Sequence, residues 1–175
     1  MSTQLFRQDD HLCVALTEHA CGGARLQATR FLVLAGAATA LIVSGGTLGF
    51  EDLRRAISPF VHPDDLELIV CTQPIDAQAQ RFRPWLQRTC VTFVGIHSDP
   101  AVADRMTASR RVGRFVYVPE AGGRVALCER SLTLLPAASA GVRKLQVFDP
   151  CSRLLFDCDA GARYMDAPIT QQRVA

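Results

Sequence analysis

The most apolar stretch of the chain is Phe31-Leu32-Val33-Leu34 followed by Ala38-Thr39-Ala40-Leu41-Ile42-Val43, interrupted at Gly36 and closed by Gly45-Gly46. A bilayer span takes about 20 residues, so this stretch is too short to be one and must be buried in a protein core. Its interruption makes it two strands, predicted over 25–34 and 38–43 and joined at Gly36 as a hairpin. Whatever else the chain does, it must fold around this pair.

The spacing that follows alternates between two periods. Phe50, Leu53, Ile57 and Phe60 recur at helical spacing with Arg54 and Arg55 opposite, and Pro59 and Pro63 stop that helix. Thr47 is placed to cap it. A buried strand is predicted over 66–71, a helix over 77–87 that Pro84 bends, and a strand over 90–96. Asp99-Pro100 starts a helix running to 111, with Asp99 at its N-cap. Beyond the strand at 114–118 the pattern becomes an antiparallel meander over 124–128, 132–135, 145–148 and 153–156, turning at Asp149-Pro150-Cys151-Ser152. A short strand is also predicted over 11–17. Helices between strands early and a meander late imply mixed α/β layers about one core. A single domain over 1–163 is expected, with a loose polar tail at 164–175.

With 175 residues there is material for one ordinary domain. A net charge of +2 gives no footprint for nucleic acid. Eighteen of the basic residues are Arg, and Lys144 is the one Lys. The seven cysteines are odd in number and form no CxxC pair, which argues for reduced, buried thiols such as Cys71 and Cys128 at the ends of apolar runs. The first ten residues hold no signal-peptide apolar region, so a cytoplasmic location is expected.

Three segments, taken in order, resemble the metallo-β-lactamase superfamily, specifically its flavodiiron-like branch of oxygen-binding di-iron proteins. Phe31 to Leu34 with Ala38 to Gly46 is similar to the opening hairpin. Asp65-Leu66-Glu67-Leu68-Ile69-Val70-Cys71-Thr72-Gln73-Pro74-Ile75-Asp76 is similar to the strand and metal-binding loop, with Trp85-Leu86 on the next helix. Leu134-Leu135-Pro136-Ala137 and Gln146-Val147-Phe148-Asp149-Pro150 through Cys158-Asp159 are similar to the second half. The resemblance implies a metallo-β-lactamase-like αββα sandwich, of class α/β (α+β), truncated at the C-terminus.

It also implies what a metal site would need. The branch's loop reads H-x-[ED]-x-D, a hard and borderline ligand set for two metals. At the matching positions Thr72 stands for the His, Pro74 for the first acid, and Asp76 alone survives. Asp159 matches the bridging Asp, with Asp157 and Cys158 before it, while Ala138 to Arg143 holds no His where the family carries one. No metal or cofactor is therefore expected. If one binds, Asp76 and Asp159 are its ligands, and iron or zinc is the ion.

Other features carry simpler readings. Asp76 suits an N-cap as well as a ligand. His97 sits at a strand-to-helix turn, and His11, His19 and His62 show no partner pattern. Cys71 and Cys158 flank the former cleft, yet no neighbouring base or cation would activate either thiol. The Arg110-Arg111-Arg114 cluster lacks aromatic interleaving, and Gly45-Gly46-Thr47-Leu48-Gly49 lacks the Lys of a P-loop. The reading is a metal-poor pseudoenzyme that binds or regulates as a homodimer or with a protein partner, without nucleic acid or membrane. The alternatives are a di-iron oxygen-binding protein and a single-metal hydrolase.

Overall fold

Strands β1 (Ser2–Gln8) and β2 (His11–Thr17) open the chain as an antiparallel hairpin in the computed structural model, which describes residues 2–17, 29–44, 50–76, 79–99, 101, 114–139, 141–157 and 159–166. Periodicity did not indicate β1, and the register explains why. A shift between Gln4 and Phe6 breaks the alternation, and the adjacent residues Leu5 and Phe6 both pack on the core. The expected central hairpin is formed by β3 (Thr29–Ala35) and β4 (Ala38–Val43), with Ala35 paired to Ala38 across a two-residue turn. Its first turn residue, Gly36, has φ +61°, a conformation that costs glycine little.

Helix α1 (Phe50–Ile57), strand β5 (Leu68–Cys71), helix α2 (Ala79–Arg88), strand β6 (Thr92–Gly95) and strand β7 (Phe115–Tyr117) follow. They extend one seven-stranded sheet in the order β1 to β7, antiparallel through β4 and parallel from there. Asp99 accepts the N–H of Ala101 at 2.9 Å, as expected of an N-cap, while the remainder of that predicted helix and the Thr47 cap lie outside the described residues. Pro84 lies inside α2, which continues past it to Arg88.

Strands β8 (Gly123–Leu127), β9 (Arg130–Ser139), β10 (Val142–Asp149), β11 (Leu154–Asp157) and β12 (Gly161–Tyr164) form the meander, a second sheet of five antiparallel strands. The two sheets pack face to face. Phe31, Val33, Ala40, Ile42, Val70 and Val94 of the first meet Leu132, Leu134, Leu145, Val147 and Phe156 of the second, with the Phe31 and Phe156 rings 4.9 Å apart. The alternate residues Leu32, Leu41, Ile69 and Phe93 pack on the other side against Leu53, Ile57 and Trp85 of the helices. Burial on both faces is why these strands read as continuous apolar runs and not as alternating ones.

The cysteines depart from expectation. Cys13 and Cys71 are buried, but Cys90, Cys128 and Cys151 are exposed free thiols. Cys128 ends an apolar run in sequence, yet it occupies the turn between β8 and β9 with φ +57°, which takes it out of the strand. Among the described residues no helix is long and apolar enough to cross a membrane.

Candidate functional site

Thr72 follows β5 at the carboxyl end of the parallel strands. It is buried, and its polar atoms are all engaged: the N–H and hydroxyl donate to the Val43 carbonyl at 2.9 and 3.2 Å, and its own carbonyl accepts the Leu145 N–H at 2.7 Å. Pro74 offers no side-chain donor atom. Asp76 is exposed, and both of its carboxylate oxygens engage Ser98, one taking the N–H at 2.9 Å and the other the hydroxyl. Burial acts against its ionisation, but the Ser98 bonds and the nearby His97 outweigh that and hold the carboxyl below its ordinary range. His97 accepts the Asp99 N–H at 3.0 Å through Nδ1, and its ring lies 5.8 Å from that of Tyr117.

The second half of the site is built on β10 and the end of β11. The Lys144 ammonium lies 3.3 Å from both oxygens of Asp157 and 3.1 Å from Asp159 Oδ2. Gln146 donates to Asp157 at 2.7 Å, and the backbone N–H groups of Asp159 and Ala160 reach its other oxygen at 3.0 and 3.3 Å. Asp157 is thus saturated with donors. Burial works against its charge, but Gln146, the Asp159 N–H and Lys144 together keep it ionised below the usual carboxylate range. Lys144 is affected in the opposite sense: burial disfavours the ammonium, and the two aspartates more than compensate, raising its pKa.

These contacts sort the residues singled out in the sequence. Asp157 and Asp159 come together, and Thr72 is tied to the same region through Leu145, the residue after Lys144. Asp76 bonds to Ser98, while Cys158 lies outside the described residues. Cys71 is fully buried in the core between sheet and helices, which withholds it from the cleft. Where the family resemblance implies a His-bearing loop, β9 and β10 form a hairpin in register from Ser139 and Val142. Lys144 was not among the sequence candidates. Its only signal was being the single lysine in a chain of arginines.

His11 corrects the sequence reading in a different place. It has a partner after all: its Nε2 lies 2.6 Å from Asp149 Oδ2, across 138 residues of sequence, and both side chains are buried. Local pattern cannot reveal a pair so far apart in the chain. A separate open groove of about 800 Å³ lies at the amino ends of β4, β5 and β6 and is lined by Asp64, Asp65, Glu67 and Cys90 among others. None of the cleft residues reaches it.

The layered fold is similar to that of several solved structures. The apo state of the chemotaxis sensor ODP from T. denticola matches with 19% identity and a TM-score of 0.69, over 90% of this chain and 62% of that one. A flavo di-iron protein from Thermotoga maritima matches with 14% identity and a TM-score of 0.62, over 91% and 41%. A metallo-beta-lactamase from Pontibacter korlensis matches with 16% identity and a TM-score of 0.59, over 89% and 70%. The chain therefore spans about three fifths of the sensor's length. No curated protein matches by sequence. The fold is the metallo-β-lactamase-like sandwich, and residues 26–174 match the family model described as ODP family beta lactamase, so the chain belongs to that family.

Proposed function

We propose that this chain is a metal-poor, pseudoenzyme-like member of its family that serves as a protein-binding, regulatory or assembly subunit. The observation that carries this reading is the Lys144 ammonium bonded to both Asp157 and Asp159. A carboxylate pair holds cations because its charge needs neutralising, and here a side chain of the same domain already does that.

Iron is the metal of the similar di-iron proteins, and the described residues do not fit it. Thr72 and Pro74 stand where the family places a His and an acid, Asp76 is occupied by Ser98, and a cation already sits on Asp159. Two irons need several carboxylate and imidazole donors converging on one point. Among the described residues, this cleft presents two aspartates facing an ammonium. Loading the purified full chain anaerobically with ferrous ion, then desalting, tests the proposal. Retention well below one iron per chain supports it, and two retained irons overturn it.

On this reading the domain acts through its surface. We infer a second copy of the chain or a different protein as the partner. Light scattering after size exclusion, together with affinity recovery from cells, tests this. A clean monomer with nothing recovered counts against it.

A second reading is favoured by the likeness to the peroxy diiron species of the chemotaxis sensor ODP. On that reading the chain binds oxygen at iron held by Asp76 and Asp159. The same loading experiment decides between them.

A further inference from the structure

Far from the cleft, a second set of polar side chains is sealed between the two sheets. His11 and Cys13 lie on β2 and point toward the second sheet. Asp149 ends β10, and Ser152 lies in the turn that follows it. Their exposures are 1%, 0%, 1% and 3%. Lys144 and Asp149 sit five positions apart on one strand, about 17 Å along it, so the two sites are independent.

We propose that His11, Cys13 and Asp149, with Ser152, form a structural binding site for one zinc-class divalent cation that joins the two sheets. Three observations support this. The first is metric. A tetrahedral zinc with metal–ligand distances of about 2.0–2.3 Å sets sulfur–nitrogen and sulfur–oxygen separations near 3.5 Å. Cys13 Sγ lies 3.6 Å from His11 Nε2 and 3.5 Å from Asp149 Oδ2. The His11–Asp149 distance of 2.6 Å and the Ser152–Asp149 distance of 2.5 Å are short, and each would have to open by about 0.7–0.9 Å to receive the ion.

The second is crowding. The single oxygen Oδ2 of Asp149 faces His11 Nε2, the Ser152 hydroxyl, the Ser152 N–H at 3.3 Å and the Cys13 thiol at 3.5 Å. Four donors compete for the lone pairs of one atom. A cation turns the imidazole, thiolate, carboxylate and hydroxyl from competitors into co-ligands.

The third is charge and proton balance. Asp149 and a Cys13 thiolate together neutralise a dication, and His11 joins as a neutral ligand. On binding, the Cys13 thiol proton leaves to solvent and the His11 proton moves from Nε2 to Nδ1. The shift exchanges the Nε2–H···Asp149 hydrogen bond for a nitrogen–metal bond and places the proton on Nδ1, which is buried without a hydrogen-bond partner. A closed, buried, four-donor set marks a structural site and not a catalytic one.

Cobalt(II) titrated into chelator-stripped full-length protein is the test, because a cobalt–thiolate bond gives a near-ultraviolet charge-transfer band. The expected result is one equivalent of cobalt with that band, displaced by zinc and abolished in Cys13→Ser. The exposed-thiol variants Cys90→Ser and Cys128→Ser should keep it. A wild-type chain without the band, or a band that survives in Cys13→Ser, overturns the proposal and leaves the cluster as a hydrogen-bonded link between sheets. Should Cys13→Ser fail to fold, the wild-type melting temperature decides: zinc but not magnesium should raise it, and no rise with zinc overturns the site. One ion lost with Cys13 leaves the metal-poor reading of the cleft untouched, whereas two irons retained in Cys13→Ser would overturn that reading alone.

Discussion

The Lys144 ammonium lies 3.3 Å from each carboxylate oxygen of Asp157, and it reaches Asp159 at 3.1 Å from the same position at the start of β10. The pair is largely shielded from water, with Asp157 at 9% and Lys144 at 14% side-chain exposure. A cation in that setting does more than an exposed one, since the carboxylate has lost most of its solvent.

Replacing Lys144 by Met should therefore destabilise the domain by about 1.5–3 kcal/mol, the range for charge-assisted hydrogen bonds. Adding Asp157→Asn should recover part of that loss, because the uncompensated charge is then removed as well. Thermal and urea unfolding of the single and double variants checks this. Strictly additive losses would show that the two side chains do not interact.

Acid should weaken the fold through Asp157. Its carboxyl is held below the unfolded value of about 3.9, so its contribution is fully present above about pH 4. That contribution is lost as pH falls through the lower folded value. Melting temperatures measured from neutral pH downward should drop on that limb, and Asp157→Asn should flatten it. An unchanged acid limb in the variant would remove Asp157 from the explanation.

Gly122 should tolerate no side chain. Its φ is +79°, and an added Cβ would meet the Leu134 carbonyl oxygen at 2.5 Å and Pro136 Cδ at 2.8 Å. Gly122→Ala combines an unfavourable backbone with a clash against β9 and should cost about 1–3 kcal/mol, read by chemical unfolding. A change within a few tenths would contradict the described approach of the turn to β9.

Arg114 closes the end of α2 by donating to the carbonyls of Leu86 and Thr89. Free carbonyls at a helix C-terminus favour such a cation. Arg114→Met should lower stability by about 1–2 kcal/mol and loosen hydrogen-exchange protection in the last turn of α2. Unaltered exchange there would argue against the cap.

Much of the fold was legible in the sequence because its strongest signals are local. The β3–β4 hairpin, the Asp99 cap and the turn at Asp149 each announce themselves within a few residues. Strands β1 and β12 were not legible. Both lie at sheet edges, where β1 is interrupted by a register shift and β12 is four residues long and packs only Ala162 on the core. The same distinction holds for the sites. Substitutions at Thr72 and Pro74 were visible once the family pattern was laid on the chain. Lys144 against Asp157 and His11 against Asp149 depend on strand pairing and sheet packing, which no short window contains.

Iron counted per chain, on full-length protein loaded anaerobically with ferrous ion and desalted, tests the central claim most directly. An aspartate pair already neutralised from within the domain predicts less than one retained iron, and the same value for Asp159→Ala. Two irons that disappear together in Asp159→Ala would show that the cleft is a working metal centre and that Lys144 yields to it.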